Sequence, residues 1–324
     1  MYTRESFGIV VERANRRISI FNTNTFEVLQ QLPIDADIID VAINNNCTRA
    51  FVTSFSSMTM FQIDLCARPA RVVGSAVTTT LLEDVALTPD GKYALSVDGS
   101  TPNPNIVSYS ARQNAFVSTL PINAQAIAIS PLGRELVLTA GFFTNDVHRF
   151  VINNNGSLVD TGQSFPAGPN PINLIFSPCG QFAFVANNNS NNSSIGVLST
   201  LIPHQITLLG STPSSANPQS LAITRDGKHL FALTASNVDI FSFDPVAGSL
   251  TLERSFAHGL NISSFFGVDQ IALDACETKL FISAIGQVAV FTTYGLPLGS
   301  VSGAEGPGGI AICPCPFDDR MYDR

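Results

Sequence analysis

An apolar triplet recurs along the chain, and most copies are followed by a turn and a second apolar segment. The seven copies occupy residues 41–43, 85–87, 127–129, 174–176, 221–223, 271–273 and 310–312. Successive copies are about 40 to 50 residues apart, a spacing typical of solenoids, propellers and other repeat architectures. The pattern therefore predicts one supersecondary unit repeated along the whole chain.

Turn chemistry and side-chain alternation predict four strands in each repeat. Asp90-Gly91 and Asp226-Gly227 each follow a triplet, and Asp-Gly is a strong hairpin signal because Gly adopts a positive φ without steric cost. Residues 238–243 then show the period of two that is typical of a strand, and 249–254 follow another turn as a fourth segment. Helical periodicity of useful length does not appear between these segments.

The two ends of the chain complement each other. The seventh triplet has no strands after it, whereas the chain begins with three strand-like segments, 7–12, 18–22 and 26–32, that lack a triplet. Joined together they make one complete four-stranded unit, and such closure removes exposed sheet edges. The sequence therefore predicts an all-β fold, a seven-bladed β-propeller closed by three N-terminal strands and one C-terminal strand.

The predicted blade boundaries follow from the triplets and turns. Blade 1 spans 7–36 plus 307–313, blade 2 spans 37–80, blade 3 spans 81–122, blade 4 spans 123–168, blade 5 spans 169–216, blade 6 spans 217–264 and blade 7 spans 265–306. Residues 314–324 are predicted to form a C-terminal tail.

Composition narrows the classes of partner. The 324 residues are 45% hydrophobic and only 13% charged, which provides ample apolar surface for a core. The net charge is -8 and Lys and Arg do not cluster, so nucleic acids are not expected as partners. No apolar run reaches the roughly 18 to 20 residues of a membrane span, and residues 1–6 lack the apolar core of a signal peptide. The expected location is cytoplasmic by default.

Polar residues are expected around one mouth of the central channel. The loops that lead into the first strand of each blade, and those that join its second and third strands, form one face, here called the loop face. On this face we expect Asp40, Glu83, Asp84, Asp98, Gln125, Asn173, Asn187, Gln219, Asp269 and Gln270.

These channel-mouth residues suggest two kinds of chemistry. Ligand-binding candidates are Asp40, Asp84, Gln125, Asn173, Gln219 and Gln270, and catalytic candidates are Asp84, Asp98 and Asp269. Converging carboxylates could bind a divalent cation or raise one another's pKa for acid–base work. Polar side chains could equally line a channel because water fills it. The sequence contains no calcium-loop motif, so no cofactor and no metal ligands are assigned.

The cysteines are predicted to lie on the opposite face, here called the turn face. Cys47, Cys179 and Cys276 fall between first and second strands, Cys66 between third and fourth, and Cys313 and Cys315 after the last strand. Five of them belong to the adjacent blades 7, 1 and 2: Cys276, Cys313, Cys315, Cys47 and Cys66. They are candidates for a disulfide across the closure, for example Cys47 with Cys66 or with Cys313. Thiolate metal binding and six free thiols are the alternatives.

Two stretches carry a family resemblance. They are residues 223–233 continuing to Phe243-Asp244-Pro245, and residues 176–187. Both resemble the YVTN-type surface-protein repeats and the lactonase-like seven-bladed propellers, which include 6-phosphogluconolactonase. The resemblance implies the propeller fold and, for a lactonase, His, Arg and Glu around the channel mouth. This sequence departs from that pattern, because Pro169-Asn170-Pro171 and Asn187-Asn188 stand where those residues are expected.

Three functions follow as hypotheses. The first is a non-enzymatic binding or scaffold propeller that recognises a protein, peptide or small polar ligand at the channel mouth. The second is a lactonase-like hydrolase with a divergent active site, in which Asp84, Asp98 or Asp269 activates water. The third is a cell- or spore-surface component that is cross-linked through its cysteines.

Overall fold

The computed structural model describes residues 6–98, 105–122, 124–133, 137–141, 144–202, 204–262 and 268–313. Within these ranges the chain forms seven four-stranded antiparallel sheets, the predicted blades. Among the residues that the structure describes, no helix has the length and apolar composition needed to cross a membrane. Cys315 and the predicted tail 314–324 lie outside the described residues.

The strands follow one another in chain order through the blades. Blade 1 contains β1 (Phe7–Glu12), β2 (Arg17–Asn22) and β3 (Val28–Pro33), and blade 2 contains β4 (Ile38–Ile43), β5 (Arg49–Ser54), β6 (Thr59–Asp64) and β7 (Arg71–Val77). Blade 3 contains β8 (Val85–Leu87), β9 (Tyr93–Val97), β10 (Asn105–Ser110) and β11 (Ala115–Pro121). Blade 4 contains β12 (Ala126–Ile129), β13 (Val137–Gly141), β14 (Asp146–Ile152) and β15 (Leu158–Pro166).

The remaining blades repeat this order. Blade 5 contains β16 (Pro171–Phe176), β17 (Phe182–Asn187), β18 (Ser194–Ser199) and β19 (Thr207–Pro213), and blade 6 contains β20 (Pro218–Ile223), β21 (His229–Thr234), β22 (Asn237–Asp244) and β23 (Ser249–Ala257). Blade 7 contains β24 (Ile271–Leu273), β25 (Lys279–Ala284), β26 (Gln287–Thr292) and β27 (Pro297–Ser300), and β28 (Ile310–Ile312) returns to blade 1.

Burial explains why the strands of one blade differ in composition. The second strand of a blade has sheets against both of its faces, so β17 is buried at every position and reads as a continuous apolar run. The fourth strand lies at the rim, and β3 accordingly alternates between half-buried and exposed residues. Aromatic pairs fill the space between blades 5 and 6, where the Phe243 ring lies 4.8 Å from that of Phe184 and 4.9 Å from that of Phe182.

The predicted closure of the ring is confirmed. β28 pairs antiparallel with β1, and Ile310 faces Val10 in that register. The resulting sheet has the order β28-β1-β2-β3, so the two ends of the chain share one blade. Immediately after β28, Cys313 forms a disulfide with Cys47 of blade 2, with their Cα atoms 5.7 Å apart. This bond ties the closing blade to its neighbour across 266 positions of sequence.

The other described cysteines are not part of this disulfide. Cys66, Cys179 and Cys276 are free thiols and exposed. All three lie in hairpin turns between strands, so they share the turn face with the disulfide.

Candidate ligand-binding site in the central channel

Polar residues precede the apolar triplets of the innermost strands, and four of them meet in the channel. Asp40 lies in β4, Asp84 precedes β8, Asn173 lies in β16 and Asp269 lies two residues before β24. These four residues are here called the polar belt. The ring places them together because every innermost strand begins on the loop face and runs along the same channel.

Asp40 and Asp84 link neighbouring blades. Asp40 Oδ2 accepts the backbone N–H of Val85 at 3.1 Å, and Asp84 Oδ2 accepts that of Ile127 at 2.8 Å. In each case the donor is the first residue of the next blade's triplet. Asp40 is 0% and Asp84 3% exposed, and the two carboxyl groups lie close enough to affect each other's pKa. These two carboxyl groups are therefore built into the wall of the ring.

Asp269 and Asn173 join two blades that are not neighbours. Asn173 Nδ2 of blade 5 donates to Asp269 Oδ1 of blade 7 at 3.1 Å. Blade 6 lies between them, so this bond runs through the channel and not along its wall. Asp269 is half-buried, which distinguishes it from the other two aspartates of the belt.

Burial and mutual repulsion make the belt carboxyl groups hard to ionise. Burial, reinforced by the charge of Asp269, raises the pKa of Asp40 and that of Asp84 well above their usual range. Burial also raises the pKa of Asp269 to about 6, although the hydrogen bond from Asn173 partly offsets this. No Lys, Arg or His of the described chain forms an ion pair with any of the three. The belt therefore gathers three carboxyl groups without a built-in counter-ion among the described residues, and Asp269 carries negative charge above its pKa of about 6.

Several buried oxygens around the belt have no protein partner among the described residues. They are Asp40 Oδ1, Asn173 Oδ1, Gln219 Oε1 and Gln270 Oε1. Asn173 is only 2% exposed, and its Oδ1 belongs to the same amide that bonds to Asp269 in the channel. A buried polar atom left without a hydrogen bond costs about 1–3 kcal/mol, so such atoms usually meet water or a ligand.

The other sequence-predicted residues occupy different positions. Gln125 Nε2 donates to Glu83 Oε2 at 2.9 Å, so this amide pairs with a carboxylate outside the belt. Gln270 uses its backbone N–H to bond to Ser220 Oγ at 3.1 Å. Asp98 is buried just after β9, where its backbone N–H donates to the carbonyl of Asn105. The structure thus brings Asp40, Asp84, Asn173 and Asp269 together.

A space lined mainly by aliphatic residues adjoins the belt on the side of the turn face. It consists of two cavities of about 350 and about 330 Å³ that share Ala42, Ile43, Ile175 and Asp269 in their walls. We call this space the vestibule. Its walls are mainly the triplets themselves, and its outer rim includes Asn45, Arg225, Asp274 and Glu277. Asp269 of the belt therefore lies at the inner end of the vestibule, whose rim residues belong to the turn face.

The vestibule residues were not singled out by sequence reasoning. The triplet side chains carry the same apolar pattern as ordinary core residues, so their pattern shows burial but not whether they face a cavity. Arg225 and Glu277 lie in turns, where polar residues are common. The one signal in the sequence was positional, because the residues of the first strand of a propeller blade are the ones nearest the channel.

Known structures show which proteins this chain is similar to. A crystal structure of a protein of unknown function from Desulfotomaculum acetoxidans DSM 771 has 43% sequence identity and a TM-score of 0.91, and the match covers 95% of this chain and 99% of that one. The chain belongs to the same family as that protein. Comparison with protein-family models and with curated proteins found no match.

More distant structures share the fold of this family. The periplasmic gluconolactonase PpgL of Pseudomonas aeruginosa is 14% identical with a TM-score of 0.78, covering 96% of this chain and 99% of that one. A putative 6-phosphogluconolactonase of Bacteroides fragilis NCTC 9343 is 17% identical with a TM-score of 0.75, covering 96% and 99%. The family thus has the same seven-bladed architecture as lactonase-like propellers, as the sequence resemblance implied.

Proposed function

We propose that this protein is a non-enzymatic binding propeller that holds a small polar ligand at the polar belt. The observation that carries the proposal is the hydrogen bond between Asn173 and Asp269 through the channel, with Asn173 Oδ1 buried and unpartnered beside it. Two functional groups from distant parts of the ring are thereby held at a fixed separation, which reduces the entropy that a ligand would otherwise lose in ordering them.

The free atoms of the belt define what the ligand must bring. Asn173 Oδ1 is an oxygen that accepts hydrogen bonds and has no donor among the described residues. Above its pKa of about 6, Asp269 also adds negative charge that no described cation neutralises. A complementary ligand therefore presents hydrogen-bond donors or a positive charge.

The arrangement supports binding better than hydrolysis. Hydrolysis of a lactone requires a donor or cation at the position where negative charge develops on the carbonyl oxygen. Arg13 instead forms an ion pair with Asp37, with 2.7 Å between Arg13 Nε and Asp37 Oδ1. The guanidinium group of Arg149 donates a hydrogen bond to Gln163 Oε1 at 3.1 Å. The belt itself combines three acids with one amide.

A lactonase-like hydrolase is the second candidate, and one observation favours it. The pKa of Asp269 is raised to about 6, which suits a general base at neutral pH. The distant structures PpgL and the Bacteroides fragilis protein are named as a gluconolactonase and a putative 6-phosphogluconolactonase. In this alternative Asp269 would activate water against a sugar lactone.

A thermal-shift screen tests whether the protein binds a small polar ligand. The purified protein is heated with calcium, magnesium, sugar lactones, sugar phosphates and small amines, each in excess. A bound ligand at 100 times its dissociation constant stabilises the folded state by about 2.7 kcal/mol. We expect at least one of these compounds to raise the melting temperature of the wild type but not that of Asn173→Ala.

The control variant is Asn188→Ala. Asn188 belongs to the same blade and the same loop face, but its amide donates to the carbonyl of Pro218 instead of entering the belt. A ligand-induced shift that survives in Asn173→Ala, or no shift with any compound, would contradict the proposal. Turnover of a lactone that disappears in Asp269→Asn would establish the hydrolase in its place.

A further inference from the structure

We propose that the vestibule binds an aliphatic organic cation, an alkylammonium, whose charged end meets Asp269 and whose hydrocarbon chain lies along the inner-strand triplets. The inference rests on the proposed function, since both use Asp269, and it specifies the ligand class and the face from which the ligand enters.

The walls of the vestibule select for hydrocarbon. The aliphatic lining residues that keep part of their surface exposed come from blades 1, 2, 5, 6 and 7: Ile43, Ile175, Ile223, Leu273 and Ile312. Volumes of about 350 and about 330 Å³ for its two parts fall at the lower end of the range of small-molecule sites. Burial of an alkyl chain against such walls is favourable in proportion to the apolar area removed from water.

Asp269 is the polar group shared by both parts of the vestibule. Its Oδ1 accepts one hydrogen bond, from Asn173, and Oδ2 accepts none among the described residues. The charge of Asp269 raises the pKa of Asp40 and that of Asp84, because its ionised form repels theirs. A cation at Asp269 would relieve this repulsion, whereas an anionic head group would increase it.

The acidic groups of the rim are already engaged. Asp274 Oδ1 accepts the backbone N–H groups of Thr278 and Lys279, both at 2.7 Å. The carboxylate of Glu277 accepts the backbone N–H of Arg225. These bonds leave Asp269, at the inner end, as the carboxylate with a free oxygen facing the apolar walls. An ammonium group would therefore pass the rim and bind at the inner end.

A divalent metal ion fits this space less well. Calcium requires six to eight oxygen ligands, whereas most of the side chains that line the vestibule are aliphatic. The described residues contain no group of three or more His, Cys, Asp or Glu side chains arranged to hold a metal ion. A monovalent organic cation needs one carboxylate and an apolar wall, and the vestibule supplies both.

Isothermal titration at pH 8 tests the proposal with three probes of one chain length: hexylammonium, 1-hexanol and hexanoate. We expect hexylammonium to bind about tenfold or more tightly than hexanol, because a charge-assisted hydrogen bond is stronger than a neutral one. Hexanoate should bind most weakly. In Asp269→Asn the preference for hexylammonium over hexanol should disappear, while hexanol binds as before.

Two further variants complete the design. Asp239→Asn is the matched control. Asp239 lies in blade 6 and is also buried, but its Oδ2 accepts the backbone N–H of Ser215 and it does not line the vestibule. Its affinity for hexylammonium should equal that of the wild type. Ala42→Phe places a ring where both parts of the vestibule meet, and it should weaken hexylammonium and hexanol alike.

Three outcomes would overturn the inference. They are no binding of hexylammonium to the wild type, equal affinity for hexylammonium and hexanol, and an unchanged preference in Asp269→Asn. If a polar ligand from the thermal-shift screen still binds in an Asn173-dependent way, the proposed function stands and the alkylammonium inference alone fails. If calcium stabilises the wild type and not Asp269→Asn while hexylammonium does not bind, the vestibule ligand is a metal ion instead.

Discussion

The two sides of the polar belt use the same residue type for different purposes. On the side of blades 2 and 3, Asp40 and Asp84 accept backbone N–H groups of the following blade and are almost wholly buried. On the side of blade 7, the Asp269 carboxyl accepts one hydrogen bond from the described part of the chain, from the amide of Asn173, and it lines the vestibule. The first pair therefore holds the ring together, whereas Asp269 remains able to bind something else.

The difference arises from a shift of one position within the repeat. Asp40 and Asp84 immediately precede their triplets, where a side chain can reach the N–H of the next blade. In blade 7 this position is Gln270, and the aspartate comes one residue earlier. In blade 1 it is Gly309, where a Cβ atom would lie 1.8 Å from Asp40 Oδ1. Glycine thus leaves the space that the Asp40 carboxyl occupies.

Removal of residues 307–324 should have the largest effect, because it breaks the ring next to Asp40. The truncation removes β28, the buried Ile310 and the Cys47–Cys313 disulfide. The loss of a disulfide and of buried apolar side chains should lower the free energy of unfolding by on the order of 5 kcal/mol. Chemical denaturation measures this difference.

The control is a chain that lacks only residues 314–324 and keeps the whole of β28 and Cys313. Its stability should be close to that of the full chain. An unchanged melting temperature after removal of 307–324 would show that β28 does not close the ring.

Paired substitutions should separate the two aspartate roles. Asp84→Asn keeps an oxygen for the N–H of Ile127 and Asp84→Ala does not, while both remove the charge. The Ala variant should therefore be less stable than the Asn variant by about 1–3 kcal/mol, the cost of an unsatisfied buried donor. At Asp269 the same Asn-to-Ala difference should be smaller, because no backbone N–H of the described residues donates to its carboxyl. Equal differences at both positions, measured by urea unfolding, would mean that the two sides do not differ in this way.

The smallest expected effect is a pH dependence at Asp269. Its pKa is raised from 3.8 to about 6 on folding, so the folded state binds more protons between these values and stability falls as pH rises through them. Asp269→Asn lacks this loss. The full rise of the pKa corresponds to about 3 kcal/mol, and solvent screening of this half-buried group reduces it. The variant should therefore be more stable than the wild type at pH 8 by about 1–2 kcal/mol, and the gap should nearly close only below pH 3.8.

The pH dependence is measured as the stability difference between the wild type and Asp269→Asn. This is needed because the pKa shift of His258 changes stability with pH in the opposite direction to that of Asp269. Burial lowers the pKa of His258, so this residue favours the folded state more as pH rises towards 6.5 and above. Its contribution is the same in the wild type and the variant and cancels in the difference. A gap that does not change with pH would show that Asp269 ionises no less readily in the folded chain than in the unfolded one.

The sequence by itself determined the number of blades, the four strands in each and the closure of the ring. These features are local or periodic: Asp-Gly turns such as Asp226-Gly227, alternation within strands and an unmatched seventh triplet specify them without long-range information. It also placed Asp40, Asp84 and Asp269 near the channel, since each lies just before a triplet.

Only the tertiary structure decided which of these residues meet and which face the channel opens on. Asn173 and Asp269 are 96 positions apart, and no periodic pattern shows that their side chains bond past the intervening blade. The partner of Cys47 was similarly open among several cysteines on one face, and the structure joins it to Cys313. The pKa of each aspartate depends on burial and on charges from several blades at once. Contacts and pKa values of this kind depend on residues that are distant in sequence. Those residues become neighbours only when the ring closes.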